Sequence, residues 1–264
     1  MTHPAFSLAG RTAFVSGTSR GLGERFACTL AEAGANLVVT SRKIQSLDGI
    51  VKRLQDMGRR AVPVELDVRS LDSITAAVQT AKAAFGKLDI LVCNAGCNVR
   101  KPALDVTWDD WNLILDTNLR GSFFLAQQAA KELMIPASYG RIILIGSVTC
   151  VAGYAGLAPY GASRGGVKQM AMALADDWGA HGITVNVLAP GWFKTARNAV
   201  MYEDTEWVDY LSDRIPLKRP GATGDLDGPL LFLASEESRY VTAQTLLVDG
   251  GISGGATRAL PRKK

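Results

Sequence analysis

Three side chains within residues 141–168 have the types and spacing for proton chemistry: Ser147, Tyr160 thirteen positions on, and Arg164 four further. A free tyrosine has a pKa of about 10, so acid–base work near neutrality asks for a depression of roughly two units, about 3 kcal/mol. A guanidinium a few ångströms away supplies a field of the right sign, and it never releases its own proton. Tyr160 and Arg164, four apart on a helical run, fall on one face. That run is opened by Pro159 and carries Val167, Met170, Ala171 and Leu174 at its apolar positions. Ser147 follows Ile142, Ile143, Leu144 and Ile145, a short β-branched run suited to a strand buried on both faces. Open α/β sheets bind ligands at the carboxyl ends of their strands, where this serine would stand. The plainer alternative is that Arg164 faces solvent and the site is impaired.

A second constellation suits a phosphorylated ligand. Gly17, Gly21 and Gly23 follow an apolar strand at residues 10–16 and precede a helix with Phe26, Leu30 and Ala33 on one side. Glycines at a strand–helix turn let backbone N–H groups and the helix dipole meet a pyrophosphate. The expected cradle comprises Gly17, Ser19, Arg20, Gly21, Leu22 and Gly23. The next strand ends at Ser41 and Arg42, where an NAD site would place an acid on the ribose 2′-hydroxyl. Arg42 and Arg20 instead offer guanidinium groups to a 2′-phosphate, which favours NADP, with NAD still possible. In the alternative, one arginine stacks on adenine and the other is solvated.

The elements that must position these residues alternate. Strands at residues 10–16, 36–40, 61–66, 89–93, 142–145, 184–188 and 245–249 are separated by helical patterns at residues 43–57, 71–85, 108–134, the run after Pro159, and 226–234. Seven strands alternating with helices predict an α/β protein with a doubly wound, mostly parallel sheet and helices on both faces. A chain of 264 residues, 47% hydrophobic and 20% charged, suits one globular domain over residues 1–264. Residues 191–220 are expected to form an inserted lid with a short helix, and residues 255–264 a flexible basic tail. A net charge of +4 argues against a nucleic-acid partner, and no apolar run approaches the roughly 20 residues of a membrane span. A cytoplasmic protein is expected. Four cysteines fit neither a disulfide framework nor a metal site; Cys93 reads as a small core residue, and no metal is expected.

At Ser147, Tyr160 and Arg164 the chain resembles the classical short-chain dehydrogenase/reductase family, over residues 10–254. The resemblance implies a Rossmann-type sheet and carbonyl–alcohol interconversion by hydride transfer to or from a nicotinamide. By position, Ser147 would hold the substrate oxygen and Tyr160 would donate or remove the proton. Arg164 stands where the family has lysine, the residue that binds the nicotinamide ribose, so any relay through a lysine amine must take another route. The glycine spacing is the family's own. Asp67 and Val68 match its adenine contact, and Asn94, Ala95 and Gly96 its N-A-G turn, with Asn94 as suited to bracing the sheet as to touching ligand. Asn118 matches the asparagine that interrupts helical bonding and holds a water leading toward the basic residue. Pro190, Gly191, Phe193 and Thr195 match the loop that presents backbone and a threonine hydroxyl to the nicotinamide carboxamide. Residues 245–251 resemble the C-terminal signature and its tetramer contact, implying a homotetramer.

Arg100 and Lys101, beside the N-A-G turn, are two cations able to hold a carboxylate, though solvated loop charges are the commoner case. With Tyr154 and Trp192 they resemble sugar and sugar-acid dehydrogenases of the gluconate 5-dehydrogenase type, with Arg100, Tyr154 and Trp192 as the substrate contacts. A 3-oxoacyl-thioester or general carbonyl reductase, and a low-turnover NADP(H)-binding protein, remain as alternatives.

Overall fold

Each short apolar run carries large aliphatic side chains on both of its faces, so it is stable only between neighbouring strands and under helices on both sides. In the computed structural model, which describes residues 6–195 and 198–254, seven such strands pair in the order β3-β2-β1-β4-β5-β6-β7. They are β1 (Thr12–Val15), β2 (Asn36–Ser41), β3 (Ala61–Glu65), β4 (Ile90–Cys93), β5 (Gly140–Ile145), β6 (Ile183–Pro190) and β7 (Thr245–Val248). Every pairing is parallel. Phe14 is level with Val38 on one side and Leu91 on the other, and Ile145 with Leu188. The strand order reverses between β1 and β4, which opens a crevice at their carboxyl ends.

The helices are α1 (Gly21–Glu32), α2 (Asp48–Asp56), α3 (Leu71–Phe85), α4 (Trp108–Leu115), α5 (Gly121–Ala129), α6 (Ile135–Ala137), α7 (Ala158–Gly179), α8 (Thr205–Arg214) and α9 (Asp227–Ala234). One core joins Phe14, Leu91 and Ile142 of the sheet to Ile74, Val78, Leu125 and Val167 of α3, α5 and α7. The other joins Val15, Val39 and Ile143 to Phe26, Leu30, Leu54 and Leu230 of α1, α2 and α9. Phe123 and Phe124 are half-buried against the first core, their rings edge to face at 5.1 Å.

Local chemistry fixes several boundaries. Ser70 accepts from the Ser73 N–H to start α3, which ends on Gly86 in the left-handed conformation at φ 67°. Thr107 and Asp110 form a reciprocal capping box on α4. Two expected helices are less regular than their periodicity. The segment at residues 43–57 begins as a 3-10 turn (Ile44–Leu47) before α2. The helix expected over residues 108–134 is interrupted twice by π turns, Asp116–Arg120 and Ala130–Met134. The segment expected as a lid contains a 3-10 turn (Ala199–Tyr202) and α8. The expected basic tail lies outside the described residues.

Candidate functional site

The crevice is a cavity of about 680 Å³ running along the carboxyl ends of the strands. Every residue expected to touch cofactor lines it, as do Arg100, Tyr154 and Trp192 but not Lys101, and Ser147, Tyr160 and Arg164 line it too. Asn118 does not line it; it is fully buried.

At one end lies the turn between β1 and α1. Gly17 takes φ +74° and Gly21 φ +67°, a conformation that side chains other than glycine rarely adopt. A Cβ at Gly23 would overlap the Gly17 carbonyl oxygen and come within 2.5 Å of Asn94 Nδ2, so the helix can start this close to the strand only with glycine there. The turn is tied down by donors and acceptors from β2 and from the turn that follows β4. Gly17 N–H donates to Thr40 Oγ1 at 3.1 Å, and Thr18 N–H to the Thr40 carbonyl at 2.8 Å. Asn94 Nδ2 donates to the carbonyls of Ser16 and Gly17 at 2.9 and 3.1 Å, while Ser16 Oγ accepts the N–H groups of Asn94 and Ala95. Asn94 therefore braces the sheet while also lining the cavity. The N-cap of α1, Arg20, makes no side-chain cap bond, which leaves the first N–H groups of the helix for an anion. The cradle thus fits a pyrophosphate.

Arg20 and Arg42 are exposed at this end and form no ion pair among the described residues, whereas Ser41 accepts from Ser46 Oγ at 2.8 Å. Asp67 is engaged by Arg69, through Nε at 3.2 Å and Nη2 at 2.8 Å. That hydrogen-bonded guanidinium holds the Asp67 carboxyl below its usual range. Arg69 and Thr40 were not among the sequence-based candidates. A basic residue two positions after Asp67 was a visible signal for the first; Thr40 reads as an ordinary strand residue.

The opposite end holds the acid–base group. Ser147 is 8% exposed, and its Oγ accepts the Thr149 N–H at 3.2 Å. Arg164 is 5% exposed, so it does not face solvent. Its Nη1 donates to the Ile145 carbonyl at 2.6 Å, and its guanidinium carbon lies 5.0 Å from the centre of the Tyr160 ring. A Cβ at Gly96 would sit 2.6 Å from Arg164 Nη2, so the N-A-G turn leaves the room that the guanidinium fills. No carboxylate pairs with this buried cation among the described residues. Asn118, inside the first π turn, accepts the Cys97 N–H at 2.8 Å and donates to the Cys97 carbonyl at 2.9 Å and to Ser163 Oγ at 3.1 Å. It thereby ties the loop after β4 to α7, one residue from Arg164.

Beyond these residues Tyr154 and Trp192 line the cavity, and a chain of ring contacts continues from them to Trp207 and Tyr202. Tyr154 packs edge to face on Trp192 at 5.7 Å, Trp192 on Trp207 at 5.6 Å, and Trp207 on Tyr202 at 5.2 Å. Burial pushes the Tyr154 phenol above its usual pKa and that of Tyr202 up to about 12. Arg100 lies along Gly156 at the mouth. The expected pair of cations is reduced to one, because Lys101 Nζ binds Asp110 at 2.6 Å and its hydrogen bond is the first cause holding that carboxyl down to about 2. After β6, a Cβ at Gly191 would meet Asp249 at 2.6 Å, so the two loops touch through glycine. Phe193 is buried against Gly221, and Pro190, Gly191, Phe193 and Thr195 follow one another along the cavity. Asn198, absent from the sequence-based candidates, also lines it, and its side chain bonds Thr195 twice. Among the described residues no group of three or more His, Cys, Asp or Glu side chains could hold a metal ion.

A glycine turn at the strand-order reversal, with serine, tyrosine and a buried cation across the crevice, is an arrangement for nucleotide-assisted proton chemistry. The sequence profile of a family described as "Enoyl-(Acyl carrier protein) reductase" matches residues 17–253. The chain belongs to the short-chain dehydrogenase/reductase family. It is 39% identical over 254 residues to gluconate 5-dehydrogenase of Gluconobacter oxydans, covering 96% of this chain and 99% of that protein. It is 38% identical to 2-dehydro-3-deoxy-D-gluconate 5-dehydrogenase of Escherichia coli, covering 94% and 97%. The solved structure of a gluconate 5-dehydrogenase from Burkholderia cenocepacia, in complex with NADP and tartrate, superposes with a TM-score of 0.92 at 38% identity, over 96% of this chain and 98% of that one.

Proposed function

We infer that the chain is an NADP-dependent oxidoreductase that interconverts a secondary alcohol and a ketone on a sugar acid. The observation that carries this is the meeting, in one cavity, of Ser147, Tyr160 and the buried Arg164 with a phosphate cradle flanked by Arg20 and Arg42. Those residues fit NADP: the glycine turn and uncapped helix take the pyrophosphate, and the two arginines take the 2′-phosphate. Bound NADPH supplies the hydride.

The protein's own work is placement and charge. Ser147 donates a hydrogen bond to the carbonyl oxygen. Tyr160 gives that oxygen its proton in reduction and removes it in oxidation. Arg164, fixed on the Ile145 carbonyl, offers its positive charge to the phenol and its remaining donors to the ribose hydroxyls. Asn118 holds Cys97 and Ser163, and so positions the two segments that flank Arg164. Ser41, Asp67, Val68 and Ala95 would form the adenosine side, Gly96 would lie beside Arg164 at the nicotinamide ribose, and Pro190, Gly191, Phe193 and Thr195 would form the nicotinamide side. At the mouth Arg100 would pair with a substrate carboxylate, beside Tyr154 and Trp192.

Residues 1–264 are taken as one domain, with residues 191–220 as the lid over this mouth. A cytoplasmic homotetramer belongs to the same proposal. The fully exposed Leu104 and the exposed Trp108 and Trp111 near α4 supply apolar surface for subunit contacts. The test of function is isotopic. NADPH deuterated at the transferable position, incubated with a keto sugar acid, should deliver deuterium to one carbon of the product by mass spectrometry. Deuterium appearing only with a 3-oxoacyl thioester would move the assignment to the acyl reductases.

A further inference from the structure

Asn198 determines which way the hydroxyl of Thr195 can point its proton. Its side-chain amide is held in one orientation by two partners that cannot exchange roles. Asn198 Nδ2 lies 2.9 Å from the Phe193 carbonyl, which only accepts, and Asn198 Oδ1 lies 2.7 Å from the Thr195 N–H, which only donates. The same Oδ1 is 2.9 Å from Thr195 Oγ1, and an amide oxygen has no proton to offer. The Thr195 hydroxyl must therefore donate to Asn198. Its single proton is spent there, and only its lone pairs remain for the cavity that both residues line.

We propose that Asn198 is a positioning residue that makes Thr195 an acceptor, so that the site selects the –NH2 group of the nicotinamide carboxamide rather than its carbonyl. This rests on the proposed placement of the nicotinamide beside Thr195. A carboxamide carries a donor and an acceptor on opposite sides, and a hydroxyl free to rotate would accept either. A hydroxyl whose proton is committed accepts only the donor side. The choice fixes the rotation of the carboxamide against the loop and helps set the ring face offered to substrate.

The test uses an analogue in which the amide –NH2 is replaced by methyl, 3-acetylpyridine adenine dinucleotide phosphate, with dissociation constants for it and for NADP measured by calorimetry. Loss of one neutral hydrogen bond predicts that the wild-type protein binds NADP about five- to tenfold more tightly than the analogue. Asn198→Ala frees the Thr195 hydroxyl to donate to the acetyl oxygen, and the ratio should fall to about twofold or less. Asn198→Asp keeps an oxygen that takes the Thr195 proton, so the ratio should stay near the wild-type value even if both affinities weaken. A merely structural asparagine would weaken both cofactors equally in both variants, and an unchanged ratio in Asn198→Ala would overturn the proposal. Wild-type protein that binds NADP but does not discriminate would instead remove the nicotinamide from Thr195.

Discussion

Replacing Arg164 by methionine removes the buried cation while keeping much of its volume. The guanidinium carbon lies 5.0 Å from the centre of the Tyr160 ring. At an effective dielectric of about 20, a charge at about that distance attracts a phenolate by about 3 kcal/mol. Catalysis that passes through negative charge on Tyr160 should therefore slow by about two orders of magnitude in Arg164→Met. Stability should move the other way or not at all: the cation has no carboxylate partner among the described residues, so its removal relieves a desolvation penalty while costing the bond to the Ile145 carbonyl. Arg164→Lys restores the charge without the planar fork, and its rate should lie within about tenfold of the wild type. The assay is steady-state turnover of both variants beside thermal melts. Methionine that keeps near-wild-type turnover, or lysine that is inactive in a protein that melts normally and still binds NADP, would refute the electrostatic role given to Arg164.

Other perturbations probe separate parts. Arg42→Ala should weaken NADP binding about tenfold or more, the scale of a charge-assisted hydrogen bond, and leave NAD binding nearly unchanged, as read by calorimetry. Phe26→Ala, at a fully buried position between α1 and the sheet, should cost about 3–5 kcal/mol in urea unfolding without changing the reaction catalysed. Asp110 has a folded pKa of about 2 beside Lys101, below the roughly 3.9 of a free aspartate. Its pairing therefore contributes stability above about pH 4 that is lost as the pH falls through about 2. Asp110→Asn should lower the melting temperature near pH 6, and the difference from wild type should close as the pH approaches 2.

The sheet was legible because its signals are local. Runs such as residues 142–145 leave no polar face, and the glycines at 17, 21 and 23 announce a turn that no other residue type fits. The outcome is more uniform than the expectation, since β7 also runs parallel to its neighbour. Residues brought from distant segments were harder to read. The π turn at Asp116–Arg120 accompanies bonds from Asn118 to Cys97 and Ser163, 21 and 45 positions away, and helical periodicity at residues 108–134 does not encode them. Lys101 looked equivalent to Arg100 until the start of α4 brought Asp110 against it. Asn198 lies in a loop without regular period, so the two bonds of its side chain to Thr195 had no signal in residue spacing. That Arg164 is buried rather than solvated follows from the room beside Gly96, in the loop after β4, and from the carbonyl of Ile145 at the end of β5.

The central claim is tested most directly by the absorbance of reduced nicotinamide when purified protein meets gluconate and NADP, with Tyr160→Phe measured alongside. Reduced cofactor that accumulates with the wild-type protein and not with the variant is the predicted result. Equal traces from the two proteins, or none from wild-type protein that binds NADP across a panel of sugar acids, would contradict it.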